Sequence, residues 1–299
     1  MLAKVLASAL AVGTVAGCVP TTTYRNTGLV PAVHALPWDG RTVPAGSIRV
    51  EGTFVASDVV ENDFPEPGDT ALYVPHAAVE GAMSMAVIEH IELGVRVAYA
   101  RFTWADPSAV GTMPLVGNHT LWGVGPEIRM AFPLGRGSAF AFGLGGNLMN
   151  YRIPYAEWQV DGSCAPSPTC TQGFSLVEQK SSGHITLNLA IYPSVAIGPG
   201  GRYGHFFAGL SAHSGFQNDG FTNTPANDQV QDAGIVFVGA AGYGVQYGAL
   251  LASVILEMPI TSDSDPIEYQ PGASFTLGFD YDPSPGSPAP SRNPDPAPE

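Results

Sequence analysis

The chain has few charges, almost no lysine and hardly any cysteine. Only 13% of its 299 residues are charged, and 12 Lys and Arg stand against 26 Asp and Glu, a formal net charge of −14. Lys4 and Lys180 are the only lysines. A nucleic-acid partner needs a basic patch to neutralise phosphate, so this balance excludes one. Nothing beyond the N-terminus approaches the ~20 consecutive apolar residues of a spanning helix, which excludes a helical membrane domain. Structural zinc needs four ligands, and the cysteines number three, with no histidine beside them. Catalytic motifs are also missing. There is no His-Glu-x-x-His, Gly-x-Ser-x-Gly or phosphate-binding glycine loop, and the histidines (34, 76, 90, 119, 184, 205 and 213) are scattered.

Apolar residues are nonetheless abundant, at 45%, together with 36 Gly and 27 Pro. At the N-terminus Lys4 precedes an apolar run from Val5 to Val15, the layout of a secretory signal and too short to span a bilayer. The run closes on Val15-Ala16-Gly17-Cys18 and not on an Ala-x-Ala-like site. This tetrad resembles the lipobox of bacterial lipoproteins, which implies that Cys18 is lipidated and becomes the mature N-terminus. Val19 after it, in place of Asp, implies export to the outer membrane. With Cys18 so assigned, Cys164 and Cys170 remain as a pair in Cys-Ala-Pro-Ser-Pro-Thr-Cys, read as a disulfide formed in an oxidising compartment.

From residue 46 onward apolar residues recur at every second position, the period of a strand. Ile91, Leu93, Val95, Val97 and Tyr99 alternate with Glu92, Gly94, Arg96, Ala98 and Ala100, and Ala273, Phe275, Leu277, Phe279 and Tyr281 with Ser274, Thr276, Gly278 and Asp280. Ten such segments fall near 46–56, 79–88, 91–103, 120–133, 138–152, 184–197, 204–214, 234–246, 249–260 and 272–282. Short turns at 89–90, 134–137, 198–203 and 247–248 interleave with long excursions at 57–78, 104–119, 153–183, 215–233 and 261–271. That alternation of connections is the outer-membrane barrel arrangement.

A soluble β-sandwich or lipocalin-like barrel that binds a hydrophobic ligand shares the period and is the main alternative. Length, aromatics and charge parity favour the membrane barrel. Many segments reach the about 9–11 residues of a tilted spanning strand. Trp104, Trp122 and Tyr151 gather at the long-loop ends, and Phe132, Phe140, Phe279 and Tyr281 at the turn ends, as interfacial girdles do. Arg49, Glu51, Glu80, Glu92, Arg96, Glu127, Arg129, Glu257 and Asp280 all share the small, polar face. Only Arg101 and Arg152 share the apolar face, at strand ends where a guanidinium can snorkel.

The expected architecture is therefore all-β: an antiparallel up-and-down transmembrane β-barrel of about ten strands (8–12) over residues 46–282. Residues 1–17 form a lipoprotein signal, 18–45 a lipidated tether that either stays extended or folds into the lumen, and 283–299 a Pro-rich disordered tail. An even strand count puts both chain ends with the short turns, on the periplasmic side, and the long loops outside the cell. The inward charges are read as a salt-bridged filling of the lumen, and in an open pore they would give a weak cation preference.

The expected role is structural, adhesive or that of a small-solute pore, not enzymatic. Asp263 and Asp265 with His213 form the only arrangement reminiscent of a barrel hydrolase. No cofactor is implied beyond weak Ca²⁺ at the acidic loops, where Asp58, Glu61, Asp63, Glu66 and Asp69 lie. Expected partners are membrane lipid and the barrel-assembly and lipoprotein-sorting machineries. Oligomeric state is not legible.

Overall fold

The computed structural model describes residues 23–27, 34–57, 77–103, 118–134, 139–160, 174–198, 201–214, 235–260 and 271–282. Among them are eleven strands: β1 (Thr23–Thr27), β2 (Ile48–Ser57), β3 (Ala77–Ile88), β4 (Ile91–Thr103), β5 (Asn118–Pro133), β6 (Phe140–Val160), β7 (Phe174–Ala196), β8 (His205–His213), β9 (Val236–Tyr247), β10 (Leu250–Ile260) and β11 (Gly272–Tyr281). Strands β2 to β11 pair with their sequence neighbours, all antiparallel, and β11 returns to β2, closing a ten-stranded up-and-down barrel. Closure pairs each of β2 to β11 on both sides, so the barrel wall itself has no edge strand.

Period-two sequences form these strands because each residue alternates between two environments. In β4, Leu93, Val95, Val97 and Tyr99 are exposed on the outer wall, while Glu92, Arg96, Ala98 and Ala100 are buried inside. Strand β9, whose Gly239-Ala240-Ala241-Gly242 blurs the pattern, keeps the same phase, with Val238 and Ala240 buried and Phe237 and Tyr243 exposed. The short connections share one end of the barrel. Gly248 at φ 61° and His90 at φ 74° take up the left-handed conformation that such tight turns require.

The structure departs from the sequence expectation in two places and decides a third. First, β6 and β7 continue well into the excursion expected at 153–183, pairing as far as Val160 with Phe174 across one register shift between Glu157 and Trp158. Second, β1 adds to β6 beyond the reach of β5, with Thr23 opposite Gln159 and Thr27 opposite Tyr155, at the long-loop end. The N-terminal side of the chain thus lies opposite the turn end where it was expected. Third, of the two courses left open for residues 18–45, the described residues 34–43 take the luminal one and lie within the barrel.

Candidate functional site

The lumen has two dissimilar walls. The wall formed by β2 to β5 and β11 is charged. Arg96 lies between Glu80 (2.8 Å) and Glu127 (2.5 Å), and Arg129 between Glu127 and Glu51, at 2.5 Å each. Arg49 donates to Asp280 at 2.8 Å and stands 3.7 Å from Glu92. Acids and bases therefore alternate across neighbouring strands in a ladder, and each guanidinium fork engages at least one carboxylate. Glu92 and Arg129 are wholly buried and Arg96 nearly so, a burial such charges tolerate only when paired.

The opposite wall, from β7 to β10, is mostly uncharged and carries the apolar part of the lumen. Ala190, Tyr192, Phe207, Val238, Ala240 and Ile255 form one buried cluster with Ala131 of β5. Tyr192 and Phe207 meet edge to face with centroids 5.9 Å apart, a favourable aromatic geometry.

Residues 34–46 fill the space between the walls, and their side chains divide accordingly. Ala35, Leu36 and Trp38 join the apolar cluster at 0–1% exposure, and Tyr192 donates its hydroxyl proton to the Leu36 carbonyl at 3.1 Å. Toward the charged wall, His34 Nε2 sits 2.8 Å from Glu80, and the Arg41 carbonyl accepts from Arg49 at 3.0 Å. Backbone N–H groups that no sheet serves are taken up by wall carboxylates, Ala35 by Glu257 at 2.7 Å and Val43 by Glu92 at 2.6 Å. Asp39 is paired with Arg41.

Glycine on β6 makes room for this segment. A Cβ at Gly143 would lie 2.8 Å from Gly40 Cα and 3.0 Å from the Trp38 ring, and one at Gly145 would lie 2.6 Å from Leu36 Cδ2. These are the positions that read in sequence only as close packing within a strand.

All nine charges assigned to the inner face lie in the lumen: Arg49, Glu51, Glu80, Glu92, Arg96, Glu127, Arg129 and Glu257 are buried and Asp280 nearly so. Arg101 and Arg152 are exposed on the outer wall. Trp122, Phe132, Phe140, Phe279 and Tyr281 are also exposed there. Tyr151 is a correction to the expected girdle: it is buried, packed inside with Ala98, Leu121 and Met149. His213 is another, since it faces His34 within the lumen, ring centroids 6.1 Å apart, and does not project toward a loop.

Cys18, Cys164, Cys170, Trp104 and the acidic residues at 58–69, 263 and 265 lie outside the described residues. Sequence reasoning missed Leu36, Trp38, Phe207 and Ile255 as luminal residues. The available signal was a Leu and a Trp within a Pro- and Thr-rich stretch, facing small residues on β6.

These features define a class: a closed antiparallel barrel with an apolar outer wall, a polar inner wall and a lumen filled by its own chain. No protein-family model and no curated protein matches the chain. Among solved structures, the chain is similar to an outer membrane channel of the COG4313 group from Pseudomonas putida F1 (11% identity, TM-score 0.44, covering 83% of this chain and 100% of that one). It is also similar to the N-terminal β-barrel domain of Pseudomonas aeruginosa OprF (8%, TM-score 0.33, 79% and 98%) and to Neisserial surface protein A (9%, TM-score 0.30, 79% and 96%).

Proposed function

We propose that this protein is an outer-membrane β-barrel lipoprotein with a structural or adhesive role, closed in its resting state and without enzymatic activity. The inverted wall carries the reading. A water-soluble barrel buries its apolar side chains and exposes its charges, whereas here Met83, Val95, Leu189, Leu256 and Leu277 face outward at 50–65% exposure while Glu92, Arg96 and Arg129 are sealed inside. Hydrocarbon is the solvent that suits such an exterior, and outer-membrane barrels have this alternation. The same inversion argues against the lipocalin-like alternative, whose interior would have to be apolar throughout to hold a hydrophobic ligand.

Anchoring through Cys18 rests on the Val15-Ala16-Gly17-Cys18 motif, with the assembly and sorting machineries of the outer membrane as partners. The adhesive role is favoured by β6 and β7, which outrun the rest of the barrel on the long-loop side. Fractionation of Cys18→Ser with a cleavable signal tests the core of the proposal. Retention in the outer membrane after alkaline wash is expected, and release as a folded soluble protein overturns it.

One observation favours a second reading, a gated small-solute pore. The obstruction is a stretch of chain between two walls and not wall side chains alone, so it can leave as a unit. Planar-bilayer recordings decide. Silence of the full-length protein supports the closed structural barrel, and cation-preferring conductance would support the gated pore, since luminal carboxylates outnumber guanidiniums among the described residues.

A further inference from the structure

The contacts of residues 34–46 have a direction. Glu80 and Glu257, which hold His34 and Ala35, each stand three residues from the long-loop end of their strands, Ala77 and Ile260. Glu92, which holds Val43, is one residue from the turn end of β4, and Gly46 donates to the Ala86 carbonyl, two residues from the turn end of β3. The chain thus descends the whole lumen before β2 begins. Above it, β1 runs antiparallel to β6 on the stretch of that strand beyond β5, with Thr23 the residue of β1 farthest from the turn end and Thr27 the nearest.

We propose that the protein threads its own barrel, displaying the residues before Thr23 on the long-loop face, so that a lipid on Cys18 enters the leaflet of that face and not the periplasmic one. The proposal rests on the membrane reading above. Reach decides it. Five residues separate Cys18 from Thr23, and an extended chain covers at most about 3.6 Å per residue, so the cysteine stays within about 18 Å of Thr23. Thr23 pairs with Gln159, seven residues beyond Arg152, the last β6 residue paired to β5. At a rise of about 3.3 Å per residue and a tilt near 45°, that is about 16 Å above the rim, and the apolar band below is about 25 Å tall. A periplasmic anchor would need a span of about 40 Å, more than twice the available chain.

An even-stranded barrel ordinarily leaves both ends on one side. Here the luminal passage acts as an eleventh crossing and separates them, with Tyr281 opposite Ile48 at the turn end.

Single cysteines in a Cys164→Ser, Cys170→Ser background, reacted with a membrane-impermeant maleimide on intact cells, test the threading. Thr22→Cys and the long-loop variant Asp63→Cys are expected to react on intact cells, and the turn variant Tyr247→Cys only after the outer membrane is permeabilised. If Thr22→Cys behaves like Tyr247→Cys while Asp63→Cys labels on intact cells, threading is wrong and the membrane reading survives. If Asp63→Cys is itself shielded and alkaline wash releases the protein, the membrane reading fails and the inference with it. An epitope inserted after Pro20 and detected by antibody on intact cells gives the same reading with the native cysteines in place; its absence from the surface of cells that display an epitope at Asp63 overturns the threading.

Discussion

His34 Nε2 lies 2.8 Å from Glu80 Oε1, while Nδ1 of the same ring donates to the Ala35 carbonyl at 2.8 Å. Both ring nitrogens face acceptors, an arrangement that only the doubly protonated imidazolium satisfies. It joins the top of the luminal segment to β3 and, through Ala35 and Glu257, to β10.

That pair predicts a cost of removing the charge. His34→Gln keeps a donor toward Glu80 and discards the positive charge that both acceptors face, so the Tm in detergent micelles at neutral pH should fall. An unchanged Tm in His34→Gln would remove the imidazolium from the account.

The glycines of β6 predict an inequality. Alanine at Gly143 meets the backbone of Gly40, which cannot yield without moving the luminal segment, whereas alanine at Gly145 meets only side chains, the tip of Leu36 at 2.6 Å and the edge of the Trp38 ring at 3.1 Å. Overpacking against a fixed neighbour costs about 1–3 kcal/mol. Gly143→Ala should lower stability by that order and Gly145→Ala by less, as read from urea midpoints of the refolded barrel. The reverse order would mean that the segment does not pack on β6.

Much of this architecture was legible because a strand between lipid and lumen must alternate, and the alternation survives wherever side chains are large enough to carry it. The inner charges of Glu92-x-x-x-Arg96 and Glu127-x-Arg129 stand out because each interrupts an apolar series at the same phase. The luminal segment was not legible for the converse reason. Ala35, Leu36 and Trp38 pack without a sheet partner of their own, so no period marks them, and Pro-rich surroundings read as linker. Thr23-Tyr-Arg-Asn-Thr27 lacks alternation too, and its pairing depends on a β6 extension that Pro154 concealed, since proline is unusual inside a strand. Tyr151 was misplaced because an aromatic at a strand end fits either face, and the space opposite Gly123 decides in favour of the lumen.

The ion-pair ladder predicts strong coupling. Arg129 is the shared partner of Glu51 and Glu127, so Arg129→Met leaves Glu51 without its closest cation and Glu127 with Arg96 alone. Breaking one side of a buried pair costs about 3–5 kcal/mol, mostly through the charge left behind. Adding Glu51→Gln should recover a substantial part of that loss. A double-mutant cycle on unfolding free energy measures it, and strictly additive effects would mean that the ladder's members act independently.

Leu256 and Leu134 give the sharpest test of what surrounds the outer wall, because their exposure is almost the same, 65% and 66%. They differ in depth: Leu256 lies in the middle of β10, opposite Ala241 and Ala273, whereas Leu134 follows the last residue of β5 at the turn end. In water two equally exposed leucines should accept arginine equally well. In a bilayer the midplane position costs about 2–4 kcal/mol and the interfacial one about 0–1. Leu256→Arg should therefore sharply reduce the heat-modifiable, membrane-inserted form while Leu134→Arg leaves it nearly unchanged. Equal tolerance of the two would mean that the apolar wall is not in contact with lipid, however apolar it is.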